Sequence, residues 1–170
     1  CDISSEKSID ELLDEIQDID LVMMLADTGG HGLLEELSET KVKDCIDSKL
    51  VGSILLNKSL RIKFPKRSTP IKIIWCAGKP SGKSKDLILY SMVNSGLASY
   101  VDALNNHYQK VFEAYYLPTG LISPSTLGDD YIQKTGPELQ KIAESPQVIV
   151  DKVKQIIDNK IERGMIDIAK

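Results

Sequence analysis

Ile71-Lys-Ile-Ile-Trp-Cys76 is an apolar run interrupted only by Lys72, and a loop of Gly, Pro, Ser and Lys from Ala77 to Lys85 follows it. After the loop comes a helical stretch from about Leu87 to Lys110. A largely apolar run of this length, closed by turn residues and followed by a helix, predicts a strand and its crossover. The pattern repeats outward. Val111 to Leu117 is a further strand, and Leu21 to Ala26 is an earlier one bounded by acids. Ser4 or Ser5 caps a helix to about Ile16, with Ile9, Leu12, Leu13 and Ile16 at helical spacing. Ser38-Glu-Thr40 opens a long helix that Pro65 ends after Phe64. Downstream, Pro118 to Asp130 reads as irregular, and two helices follow. The second of these opens at Ser145-Pro146, a cap with proline in the first helical position. A short last strand is expected near Met165 to Ile168. Strands alternating with helices predict an α/β layer fold.

The bulk numbers agree. A chain of 170 residues favours one domain with a single core, spanning 1–170. Hydrophobic residues at 42% and charged residues at 27% exclude disorder. A net charge of −4 offers no basic field for nucleic acid or an anionic membrane. No apolar run is long enough to span a bilayer, and the opening residues carry no secretory pattern. Cys1, Cys45 and Cys76 are odd in number and irregularly spaced, with only His31 and His107 to assist them. They argue against zinc and disulfides, and for an intracellular, reducing compartment such as cytoplasm or an organelle matrix. The chain lacks an initiator Met and is expected to be a piece of something longer.

The order and spacing of several segments resemble the short-chain dehydrogenase/reductase family. Cys1-Asp-Ile-Ser4 looks like the end of that family's third strand, and Asp20 to Asp27 like its fourth strand and Asn-Asn-Ala-Gly turn. Ile46 to Gly52 is similar to the helix segment carrying a catalytic Asn, and Ile71 to Ala77 to the strand that ends in a catalytic Ser. Tyr90-Ser-Met-Val-Asn94 lies at the Tyr-x-x-x-Lys motif, Pro118 to Ser123 at the loop beside the nicotinamide, and Ser145-Pro-Gln-Val148 at the start of the last helix. The resemblance implies a Rossmann-like three-layer parallel sheet with helices on both faces, lacking the N-terminal strands and their phosphate loop. It also implies that Asp2, Ala26, Pro118, Gly120 and Ile122 would contact NAD(P)(H), if a dinucleotide binds.

The departures set the functional expectation. In the family, a Tyr protonates the substrate carbonyl and a Lys one turn later lowers its pKa. A Ser positions the oxygen and an Asn holds a relay water. Only Tyr90 is in place, as a vestige. The Lys position holds Asn94, the Ser position Ala77 and the Asn position Lys49, while the turn puts Asp27 where its Gly belongs. Losing members of a concerted set costs orders of magnitude in rate. The expectation is a catalytically inactive, reductase-like protein without a cofactor, kept as a structural or accessory subunit. Helices 38–64 and 87–110 are expected to pack on a protein partner or on a second copy through Val51, Ile54, Leu55, Val93, Leu97, Val101 and Leu104, or only on the sheet. The alternative is an NAD(P)(H)-dependent reductase working through Tyr90.

A second alternative comes from residues 77–84, which fit the relaxed phosphate-loop pattern [AG]-x4-G-K-[ST]. Lys83 would reach the phosphates and Ser84 would hold Mg²⁺. The bland reading is a solvated loop. Trp75 is expected in the core or plugging the nicotinamide pocket, Cys76 as a structural thiol, and His31 and His107 at the surface.

Overall fold

The computed structural model describes residues 1–79 and 84–166. Four strands form one parallel sheet in the order β1-β2-β3-β4, with β1 Leu21–Met24, β2 Ile71–Gly78, β3 Phe112–Thr119 and β4 Gly164–Met165. The helices are α1 (Glu6–Asp14), α2 (Glu39–Ile46), α3 (Gly52–Lys63), α4 (Ile88–His107), α5 (Thr126–Thr135) and α6 (Pro146–Ile157).

Alternation along β2 explains the layers. Ile71, Ile73, Trp75 and Ala77 point to one face, where they pack with Ile9 and Leu13 of α1, Leu56 and Leu60 of α3, and Leu97, Val101 and Leu104 of α4. Ile74 points the other way, joining Tyr115 and Leu117 of β3 against Val153 and Ile156 of α6. A sheet buried on both faces reads as a near-continuous apolar run, which is why β2 does. The three-layer α/β architecture expected from the sequence is present.

Local signals set the helix starts. The hydroxyls of Ser5, Ser38 and Ser145 accept from the backbone N–H groups of Ser8, Lys41 and Gln147. Each satisfies a donor that the first turn leaves free. The long helix expected over 38–64 is continuous but widens into a π-helical turn at Asp47–Val51, between α2 and α3. Such turns are energetically unfavourable and concentrate at functional sites. This one carries Lys49, which is 4% exposed.

Several expectations need correction. Cys1–Ser4 makes no strand pairing among the described residues and turns into α1 at Ile3–Ser4: the Asp2 carboxylate accepts from the Ser4 backbone N–H and hydroxyl, 2.9 and 2.7 Å away. The stretch 118–130 is not wholly irregular, because Ser125 caps α5 through the Gly128 N–H. Strand β1 stops at Met24, two residues short of Ala26. Of the last strand only Gly164–Met165 is formed among the described residues, and the expected continuation beyond 166 lies outside them.

Candidate active-site cavity at the carboxyl ends of the strands

β1, β2 and β3 all run toward one edge of the sheet, where their following loops enclose a cavity of about 410 Å³. Asp27 follows β1, Ala77 and Gly78 end β2, and Thr119, Gly120 and Ile122 lie at the end of β3. Tyr90 enters from the first turn of α4, and Tyr131 covers the cavity from α5. The carboxyl ends of parallel strands are where open α/β sheets bind ligands.

Four side chains meet at and beneath the cavity floor. Tyr90 donates its hydroxyl hydrogen to Asp27 Oδ2 at 3.0 Å. Lys49 Nζ lies 2.8 Å from the same oxygen, 3.1 Å from Asn94 Oδ1 and 4.0 Å from the centre of the Tyr90 ring. Asn94 is fully buried, and its Nδ2 has no hydrogen-bond partner. Asp27 is held in orientation by its other oxygen, which accepts the Gly29 N–H at 2.8 Å. Burial, and then the Asp27 charge, hold the Tyr90 phenol far above its ordinary range.

Close approach is required at Gly78. A Cβ there would lie 2.2 Å from Tyr90 Cε1 and 3.0 Å from Asn94 Nδ2, so only glycine lets the ring seat against the end of β2.

The sequence-derived candidates divide into two groups. Tyr90, Ala77, Gly120 and Ile122 line the cavity, and Lys49 and Asn94 meet beneath it. Asp2 is exposed, bonded only within its own turn and to the Ser8 hydroxyl, and is not among the lining residues. Pro118 pairs with Ala77 inside the sheet, while Ala26 borders a minute void behind Lys49.

Sequence reasoning takes the missing lysine at position 94 as the loss of a cation beside Tyr90. The structure corrects this, because Lys49 supplies that cation from the opposite helix. Asp27, which stands where the resemblance expects a Gly, lines the cavity and holds Tyr90 and Lys49 at one carboxylate oxygen. Trp75 does not plug the cavity; it is 2% exposed and donates from Nε1 to Ser53 Oγ at 2.8 Å. His31 is half-buried and lines the cavity edge-on to Tyr131 at 5.4 Å, with burial holding its pKa below normal. Burial pushes the Cys76 thiol up to about 11, consistent with an inert structural cysteine.

The phosphate-loop reading is largely outside the described residues, since Pro80 to Lys83 are not among them. Of its remaining members, Ala77 and Gly78 belong to β2, and the Ser84 hydroxyl donates to Asp86.

For a nicotinamide dinucleotide the fit is partial. The apolar wall of Leu121, Ile122 and Ile149 suits a flat ring, and Thr119 and Gly120 open the loop beside it. No glycine-rich turn runs from a strand into a helix ahead of β1 among the described residues. The group that would cradle the pyrophosphate is therefore not among the described residues. Nor do these residues contain a cluster of His, Cys, Asp and Glu suited to a metal ion, or a helix long and apolar enough to cross a membrane.

A parallel sheet covered on both faces, with a ligand cavity at its strand ends, defines a doubly wound α/β protein. More narrowly, the chain has the fold of the short-chain dehydrogenases/reductases. It superimposes on a short-chain dehydrogenase from Salmonella enterica serovar Typhi with a TM-score of 0.82 at 14% identity, over 100% of this chain and 73% of that one. A small-chain dehydrogenase in complex with NADPH gives 0.79 at 16% identity, over 98% and 80%. Actinorhodin polyketide ketoreductase with NADPH gives 0.71 at 18% identity, over 79% of this chain and 54% of the ketoreductase. The chain thus spans little more than half the ketoreductase. No protein-family model matches the sequence, and no curated protein matches it significantly.

Proposed function

We propose that this chain is a reductase-fold domain that does not perform ordinary carbonyl reduction and serves as a structural or accessory component of an assembly. One observation carries the reading: the hydroxyl that would protonate a carbonyl gives its hydrogen to Asp27 instead. Supporting this, the Lys49 charge is compensated at the same carboxylate oxygen. At Ala77 a methyl group stands where the resemblance implies a carbonyl-orienting hydroxyl.

A second reading, an NAD(P)(H)-dependent reductase, is favoured by the 4.0 Å approach of Lys49 to the Tyr90 ring, which restores a cation to the tyrosine. Three of the similar structures hold NADPH, which supports a dinucleotide as the cofactor of that reading. In it, the wall at Leu121 and Ile122 would hold the nicotinamide, and the cofactor would supply hydride.

Calorimetric titration of NADPH and NADH separates the two, on this chain and on the longest natural form that contains it. The accessory reading expects no micromolar binding by either form. Micromolar binding by the longer form would overturn it in favour of the reductase.

A further inference from the structure

Asp27 and Lys79 are the carboxylate and the ammonium that line the cavity among the described residues, and their commitments differ. Asp27 is fully engaged: one oxygen takes the Lys49 ammonium at 2.8 Å and the Tyr90 hydroxyl at 3.0 Å, the other the Gly29 N–H at 2.8 Å. Lys79 is exposed, follows Gly78 at the end of β2, and forms no ion pair among the described residues. β1 neighbours β2 in the sheet, so the segment after β1 opens beside it and brings His31 to the same cavity. His31 is half-buried; burial first, and then Lys41 and Lys134, hold its pKa below normal. Its ring is therefore neutral at pH 7 and keeps one N–H to donate. The Lys41 ammonium donates to the His31 carbonyl, which fixes a further positive charge beside that residue. Of the acids that reach His31, Asp130 pairs with Lys134 at 2.7 Å. Asp86, which accepts the Ser84 and Tyr131 hydroxyls, is left as a single charge against those of Lys41 and Lys79.

Leu25, Leu87, Leu121, Ile122 and Ile149 give the same cavity an apolar wall. A volume of about 410 Å³ falls within the range of small-molecule sites. We infer that the cavity binds a compact apolar monocarboxylate, with its carboxylate at the Lys79 ammonium and the His31 N–H and its hydrocarbon on that wall. Hydrogen bonds to an ionised group are about twice as strong as neutral ones, which favours a carboxylate over an uncharged group of the same shape. The exposure of Lys79 keeps the carboxylate partly hydrated, so the ligand charge is not carried into an apolar interior. Burial of the hydrocarbon against leucine and isoleucine supplies the rest of the affinity. The site is the same whether or not Tyr90 works as an acid, and in that respect the inference goes beyond the proposed function.

The probes are 4-phenylbutanoate and 4-phenylbutanamide, which differ only in the charged group. They are titrated by calorimetry into the longest natural form that contains this chain, without any dinucleotide. The carboxylate is expected to bind about tenfold tighter than the amide at low salt, and the margin should narrow at high salt. Lys79→Ala and His31→Leu are each expected to shrink the margin severalfold. Lys110→Ala, at an exposed lysine beyond the far end of α4, should leave it unchanged. Equal binding of the two probes would overturn the inference, as would no detectable binding of either at millimolar concentration. A margin that both cavity variants leave intact would overturn it too, by placing the carboxylate elsewhere. The two proposals fail separately. Dinucleotide-dependent reduction of a ketone contradicts the proposed function, whereas equal binding of the two probes contradicts only the carboxylate site.

Discussion

Lys49 and Asn94 stand in each other's places: Lys49 Nζ reaches Asn94 Oδ1 at 3.1 Å, each on the helix where the family resemblance expects the other residue. The exchange keeps a lysine and an asparagine beside the tyrosine but reverses their sides. It brings a counter-charge with it, because Lys49 also pairs with Asp27 at 2.8 Å. The lysine side chain is 3% exposed and the aspartate 16%, so the cation is the partner that depends on the pair. Breaking a buried pair from one side leaves an uncompensated charge and costs about 3–5 kcal/mol.

Asp27→Ala is accordingly expected to lower unfolding free energy by about 3 kcal/mol, at the low end because Asp27 keeps some solvent access. Lys49→Met is expected to cost less, since the remaining carboxylate keeps access to water. Urea denaturation of the two variants checks the order, and a more damaging Lys49→Met would show that the pair is not organised as described.

Gly78→Ala tests the seating of Tyr90. The added Cβ falls 2.2 Å from Tyr90 Cε1, at the end of a paired strand that cannot retreat. Overpacking of this kind costs about 1–3 kcal/mol. The Tyr90 ring should be displaced, and loss of its hydrogen bond to Asp27 would show in a structure of the variant.

Trp75 is the sole tryptophan, so its hydrogen bond to Ser53 can be followed optically. Ser53→Ala leaves a buried indole N–H unpaired, at a cost of about 1–3 kcal/mol. The expected result is a lower thermal midpoint together with a shifted fluorescence maximum, whereas a stability change without a spectral change would place the effect elsewhere.

Alkaline stability should fall early. Tyr90 and Tyr116 are held far above the ordinary phenol range, chiefly by burial and then by Asp27, and Tyr115 is pushed up to about 12. Above the unfolded phenol value of about 10 the unfolded chain loses protons that the folded chain keeps. Stability is therefore undiminished below that pH and declines as pH rises beyond it. Tyr90→Phe should flatten part of the decline in a denaturation series from pH 8 to 11, and an unchanged slope would count against the burial described.

The layers were legible because their signals are local. The apolar run at Ile71, the caps at Ser38 and Ser145, and the break at Pro65 act within a few residues of one another. The floor of the cavity was not legible, because Asp27, Lys49, Tyr90 and Asn94 come from three separate segments. Read one at a time, Lys49 is a lost asparagine and Asn94 a lost lysine. Only the π-helical turn at Asp47–Val51, which no propensity announces, aims Lys49 inward and joins the two substitutions into one exchange. At Cys1–Ser4 the family resemblance suggested a strand end, and the local structure among the described residues is the Asp2–Ser4 pair of hydrogen bonds.

In the proposed function the Tyr90 proton serves Asp27 and not a carbonyl. This is tested most directly by dinucleotide-dependent reduction of a panel of ketones and aldehydes, with the longest natural form and its Tyr90→Phe variant assayed side by side. No turnover above background is expected in either protein. Turnover by the natural form that disappears in Tyr90→Phe would contradict the proposed function and establish Tyr90 as a working acid.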